Sequence, residues 1–293
     1  MNKKLIIEVR INEYAMRTSN RNVPWSPTEI GTDAAACRAA GAAIVHFHAR
    51  GQDGSVSHDV DVYAETIRQV RSRCDLLVHP TLGQITVSGD EARLAAVDKM
   101  AEDSATRPDF APMDMGSTNI DPYDPVAKRF VSEGKVYVNS VKTLSYFARR
   151  MREMGVKPML CSWTVPFVRS IEAFVDAGLL DEPVINGFVL TEGGLYGGHP
   201  GTVRGLEAFL DFVPPGLRME WSVMCKHGNL FPAAMAAIER GGHVSIGLGD
   251  YPYNELGMPT NADLVAEVVR MARRVGREPA TPAEVREMLR MAG

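Results

Sequence analysis

A closed (β/α)8 barrel is the fold class that this chain of 293 residues predicts, and three observations carry the prediction. Eight short runs rich in β-branched and apolar residues recur along the whole length. Segments with apolar residues at helical spacing separate most of them, so strand and helix alternate. No composition break and no Gly/Ser linker divides the chain, which favours one closed barrel over a doubly wound open sheet. The expected organisation is a single barrel domain over residues 1–293.

The first strand is expected at 5–9. A helix start follows, in which Ser26 caps, Pro27 suits the first turn and Glu29 completes an S-x-x-E box. Ile30, Ala34, Cys37 and Gly41 continue at helical spacing. After a second strand at 43–48 comes another helix start at Ser57-His58-Asp59, then the apolar row Val62, Thr66, Ile67 and Val70. The remaining strands are expected at 75–79, 110–115, 158–162, 185–190, 219–224 and 243–248. Thr281-Pro282-Ala283-Glu284 repeats the capping device near the end of the sequence.

Hydrophobic residues at 45% and charged residues at 23% exclude a disordered or collagen-like chain. No run approaches the ~20 apolar residues of a membrane helix. Glu8 interrupts the first apolar run and no small-residue cleavage site follows, which argues against a secretory signal. Four scattered cysteines without a CxxC pair read as reduced thiols, so a cytoplasmic setting is expected. A net charge of -4 without a long Lys/Arg cluster gives nucleic acid no electrostatic footprint. The expected partner is a small molecule.

In such a barrel the chemistry sits at the C-terminal ends of the strands. The residues expected there are Glu13; His46, His48 and Arg50; His79 and Thr81; Asp114, Ser117, Thr118 and Asn119; Cys161 and Trp163; Thr191 and Glu192; Lys226 and His227; and Asp250. His46 and His48 lie two apart on one strand, so both imidazoles point into the barrel mouth. Two imidazoles form half a site for zinc or another divalent ion, completed by a carboxylate and an open position. The alternative is a pair of histidines satisfied by hydrogen bonds. Lys226 as a Schiff-base lysine is the weaker option beside a metal site. Cys161 and Cys225 read as small buried hydrophobes. The segment 191–202, with five glycines, reads equally as a flexible surface loop or a ligand-binding lid, and His199 within it as solvent-facing.

The run Ala42-Ala43-Ile44-Val45-His46-Phe47-His48-Ala49-Arg50, followed by Asp53-Gly54, resembles the metal motif of the β-keto acid cleavage enzymes, the 3-keto-5-aminohexanoate cleavage type. The likeness extends through Pro24, Pro27 and Glu29, through Gly116-Ser117-Thr118-Asn119, Gly193-Gly194 and Gly241-Gly242-His243-Val244, to Ala280-Thr281-Pro282. It implies a (β/α)8 barrel, a homo-oligomer of dimer or tetramer size, and a zinc or other divalent ion on His46 and His48. It also implies a Claisen-type acyl exchange of a β-keto acid with acetyl-CoA as co-substrate, giving acetoacetate and a new acyl-CoA. Asp250 matches the family's catalytic aspartate, Glu13 its early-strand glutamate, Ser117 its threonine or serine at the end of strand 4, and Thr81 or Pro80 its serine after strand 3. The resemblance puts Arg50, Asn119, Gly193 and Gly194 on the substrate side.

Three positions depart from the pattern. Ser245 stands where the family carries an arginine, Gly249 where it carries a glutamate ligand, and Met159 to Ser162 where it carries strand-5 acids. Losing the arginine and the acid together removes a charge pair rather than stranding one charge. The third metal ligand is expected from Asp250, then His79, then Glu13. These departures leave two other readings: a metal-dependent carbon–carbon lyase or hydrolase that does not use CoA, and a catalytically silent ligand-binding barrel.

Overall fold

The computed structural model describes residues 3–83 and 87–291. Eight strands form one parallel sheet: β1 (Ile7–Arg10), β2 (Ile44–Phe47), β3 (Leu77–Pro80), β4 (Phe110–Asp114), β5 (Lys157–Ser162), β6 (Val184–Thr191), β7 (Met219–Lys226) and β8 (His243–Ile246). Their order is β3-β2-β1-β8-β7-β6-β5-β4, so every hydrogen-bonded neighbour is also a neighbour in sequence once β8 returns to β1. The ring is nearly closed. Across the remaining gap, the Asp109 N–H reaches the Val78 carbonyl at 3.0 Å and the Asp109 carboxylate takes the Val78 N–H at 2.8 Å.

Helices follow the strands as expected: α1 (Pro27–Ala40), α2 (Val60–Arg71), α3 (Asp90–Ala101), α4 (Val141–Met154), α5 (Val165–Asp176), α6 (Val203–Leu210), α7 (Phe231–Glu239), α8 (Asn261–Arg274) and α9 (Pro282–Met288). The capping boxes at Ser26/Glu29 and Thr281/Glu284 both form. Each satisfies two backbone N–H groups that the first helical turn leaves without partners. The fold class is therefore the one the alternation of elements predicts.

Period-2 alternation fills the barrel in layers. Ile6, Ile44, Leu77, Phe110, Met159 and Ile185 make the lowest layer, packed on Val285 and Leu289 at α9, which closes the N-terminal end. Two residues further along the strands, the lining changes to Glu8, His46, His79, Cys161 and Ser245, all buried. Above these lie Arg10, His48, Thr81, Asp114 and Trp163 at the C-terminal end.

Two segments differ from a plain connection. Residues 115–140 form two short antiparallel ladders, Thr118–Asn119 with Val136–Tyr137 and Tyr123–Asp124 with Arg129–Phe130. The glycine-rich segment is a pinned structure: His199–Pro200 pairs in parallel with Leu190 and Thr191, and the Glu192 carboxylate accepts from the Gly201 N–H at 2.8 Å. His199 is half-buried, its ring edge-on to Phe209 at 4.6 Å, which corrects the expectation that it faces solvent.

Candidate active site

Glu13, His46 and His48 converge at the C-terminal end of β1 and β2. The Glu13 oxygens lie 3.2 Å from His46 Nε2 and 3.5 Å from His48 Nε2. One ligand atom from each residue falls within 4.8 Å of the other two, and all three residues are buried. Burial holds both imidazoles well below their ordinary pKa, with Arg10 and Lys226 adding to the effect, so both are neutral. Neutral imidazole is the ligating form. Neither His46 Nδ1 nor His48 Nδ1 has a hydrogen-bond partner, so the pair is not satisfied by hydrogen bonds alone. A buried set of two histidines and one carboxylate, with unspent nitrogen donors, fits a divalent ion.

The carboxylate that stands beside the histidine pair is not the one the sequence ranks first. Glu13 joins the histidines, whereas Asp250 is held by Arg10 Nε at 2.9 Å and Lys226 Nζ at 3.2 Å. His79 belongs to a deeper group with Glu8 and His46. Its Nδ1 lies 2.6 Å from Glu8, and its ring centroid is 4.5 Å from that of His46. Burial opposes the charge on Glu8, but His79, Arg10 and His46 hold its carboxyl far below the usual range.

Gly249 explains the difference. A Cβ there would stand 2.6 Å from Glu13 Cγ and 2.9 Å from the Arg10 carbonyl, so a side chain at 249 and Glu13 as placed compete for one space. Ser245 pairs in register with Glu8 and donates its hydroxyl to that carboxylate. The cation that reaches Asp250 comes instead from β1, where Arg10 also contacts Glu13 and lies 3.7 Å from Glu8. Glu8 and Arg10 are the residues the sequence reading missed. Their signal was present: two charges at i and i+2 in an apolar strand point to one face.

Lys226, at the end of β7, donates to Glu13 at 3.1 Å and to Asp250 at 3.2 Å. The backbone behind it is locked by His227, whose N–H reaches the Asp250 carbonyl at 2.9 Å. Asn12 ties the tops of β1 and β2 together, accepting from the His48 N–H at 2.9 Å and donating to the His48 carbonyl at 3.0 Å. Thr81 is buried and lines the same small cavity as the histidines.

Of the other residues expected at the site, Cys161, Asp114 and Trp163 line the small cavity with the histidines, and the rest lie around it. Arg50 is buried, but its guanidinium donates to the carbonyls of Glu13, Ala15 and Gly54, so it braces the loop after β1. Ser117 and Asn119 are exposed on the 115–140 segment, where Ser117 Oγ accepts from the Asn139 N–H. Gly193 and Gly194 take φ of 59° and 83° and let the loop pack on His227 and on the Tyr123 carbonyl. Cys161 is buried with its thiol pushed up by burial, and Cys225 is pushed up to about 12 by the same cause, so both behave as hydrophobes. Asp114 accepts from Tyr137 and from Trp163, both at 2.6 Å.

Above Glu13, Lys226 and Asp250 opens a cleft of about 550 Å³, bounded by the loop after β1, the 115–140 segment, Leu195 and Tyr251.

The family model of the β-keto acid cleavage enzymes matches residues 4–291. The chain is 30% identical over 291 residues, 98% of each chain, to a 3-keto-5-aminohexanoate cleavage enzyme of Acetoanaerobium sticklandii. It is 27% identical to a 3,5-dioxohexanoate:acetyl-CoA acetone transferase of Paraburkholderia graminis, covering 92% of this chain and 90% of that one. Among solved structures the apo form of ObcA superposes with a TM-score of 0.72 at 15% identity, over 92% of this chain and 66% of that longer chain, a likeness of fold. With a family model spanning nearly its whole length and a relative at this identity end to end, the chain belongs to the β-keto acid cleavage enzyme family.

Proposed function

We propose that this protein exchanges acyl groups between a β-keto acid and acetyl-CoA, releasing acetoacetate and a new acyl-CoA, with a divalent ion, zinc first, as its resident metal. The observation that carries the reading is the buried Glu13–His46–His48 triad at the foot of an open cleft, with Asp250 and Lys226 beside it. When bound, a dication on that triad would polarise the keto carbonyl and offset the charge of an enolate.

The chain's own residues supply the rest. Asp250 is the base that takes the proton from the carbon between the two carbonyls, and Arg10 orients it from below. Lys226 has 19% of its side chain exposed and can turn from Glu13 and Asp250 to the substrate carboxylate. Thr81, from the cavity wall, is the hydroxyl donor for the reacting oxygen. Ser117, Asn119, Gly193 and Gly194 act indirectly, by shaping the two segments that border the cleft, and Arg50 by holding the Glu13 loop.

A CoA-independent lyase is the second reading, favoured by Gly249, Ser245 and Cys161, which replace the charged groups that the family resemblance implies. A single-domain organisation, a cytoplasmic setting and a homo-oligomer complete the proposal. The four free thiols are consistent with the setting. Val126, Val131, Val138 and Val141, exposed on or next to the 115–140 segment, offer an apolar surface for self-association.

The test is mass spectrometry of acyl-CoA products from metal-loaded protein given acetyl-CoA and a panel of β-keto acids, with metal content measured on the same samples. One new CoA ester, with both product and bound metal lost in His46→Ala, is the expected result. Cleavage that proceeds without acetyl-CoA selects the lyase.

A further inference from the structure

The cleft is mostly apolar on its walls, where Thr18, Ser19 and Asn20 add neutral polar groups and Lys135 a charge, and its acids are confined to the floor. Met16, Ile120, Pro122, Leu195 and Tyr251 face it from the loop after β1, the 115–140 segment, the glycine-rich segment and the loop after β8. Among the described residues that line it, the only acids are Glu13 and Asp250, both at the floor. Neither is available to a cationic ligand higher up, because each already contacts Arg10 and Lys226. The cations of the lining are Lys226 at the floor and Lys135 on the 115–140 segment. His227 adds no charge at neutral pH, since burial lowers its pKa.

From this distribution we infer, taking the proposed reaction as the premise, that the substrate class is a β-keto acid with an uncharged hydrocarbon tail. Lys226 has the position to meet the carboxylate at the floor, and the tail then runs up the Met16–Ile120–Tyr251 walls. An ammonium on that tail would leave water for a cleft that offers it apolar surface and two like charges, with no free carboxylate. A methylene on the same path gains about fourfold in affinity for each group fully buried. The cleft, at about 550 Å³, is of the size that encloses a small-molecule ligand.

The experiment uses three 3-oxoacids of equal chain length that end in a methyl, a carboxylate or an ammonium group. Binding to the full-length metal-loaded protein is measured by calorimetry without acetyl-CoA, and CoA-ester formation is then followed with acetyl-CoA present. The methyl-ended acid should bind at least tenfold tighter than the ammonium-ended one, with the carboxylate-ended acid between them. Ile120→Glu, checked for an unchanged melting temperature, should shrink the methyl-to-ammonium ratio at least tenfold by placing an acid on the wall. An ammonium-ended or carboxylate-ended acid that binds tightest overturns the inference, whether or not a CoA ester forms. The expected ranking without any CoA ester sustains the tail preference and overturns the acyl exchange. Absence of binding by all three overturns both.

Discussion

At Gly249 a hydrogen stands where any side chain would press on Glu13, and at Ser245 a hydroxyl stands where a guanidinium would meet Glu8. Around these two positions Glu8, Glu13 and Asp250 face Arg10 and Lys226, three acids against two cations, which leaves one surplus negative charge that favours a cation. Single buried groups matter equally away from the site. His243, at the foot of β8, accepts from the Ile6 N–H at 2.9 Å and pairs with Glu220 at 2.8 Å. Burial pushes its pKa down from 6.5 to about 4, against the upward pull of Glu220. The unfolded chain therefore binds this proton first as the pH falls. Its contribution is whole above pH 6.5 and is lost progressively down to about pH 4, on the order of 3 kcal/mol over that window. Urea unfolding of His243→Gln should show a flatter loss of stability between those pH values than the parent, and parallel curves would assign the acid sensitivity to the carboxylates instead.

At the scale of elements, what the sequence revealed depended on whether a feature is local. Strand and helix alternation, the Ser26 and Thr281 caps and the His46/His48 pair are set by neighbours in the chain, and all were legible. The choice of Glu13 over Asp250 as partner of the histidines was not, because it depends on a steric meeting between β1 and β8, more than 230 residues apart. The bracing contacts of Arg50 were hidden for the same reason: two of its carbonyl partners, Glu13 and Ala15, belong to another strand's loop. Asn261, at the start of α8, is a long-range tie of this kind. Its side chain accepts from Leu248 N–H at 2.8 Å and donates to the Ile11 carbonyl at 3.0 Å and to Asp33 at 2.7 Å. Those contacts join the ends of β1 and β8, two residues before Glu13 and one before Gly249. Asn261→Ala would strand a buried donor and a buried acceptor, and should cost about 2–4 kcal/mol in urea unfolding. It should also weaken divalent-metal binding, measured by competition with a chromogenic chelator. Loss of stability with unchanged metal affinity would separate α8 from the site.

For the whole molecule, closure is the decisive step, and the ring has one weak seam. Among the described residues no ladder runs between β3 and β4, and Asp109 takes its place. Its backbone N–H donates to Val78 and its carbonyl accepts from Lys157, while its carboxylate accepts from Val78, contacts Arg286 and lies 3.6 Å from Arg71. One residue, through its backbone and its carboxylate, thus joins β3, β4 and β5 to α9, which plugs the lower end of the barrel, and to the end of α2. Arg286 and Arg71 are about a third exposed, so the ion pairs are partly screened, and the buried bond to Val78 carries more of the effect. Asp109→Ala should lower stability by about 2–4 kcal/mol, and Asp109→Asn, which keeps one acceptor, by roughly half as much. Hydrogen exchange should locate the loss, with the Val78 and Lys157 amides deprotected first and the β6–β7 ladder last. The candidate active site lies at the opposite end of the barrel, so the variant's residual folded fraction should match the parent in the divalent-metal binding proposed for it. A stability loss below 1 kcal/mol would mean that the ring closes through packing across the seam and that Asp109 only decorates it.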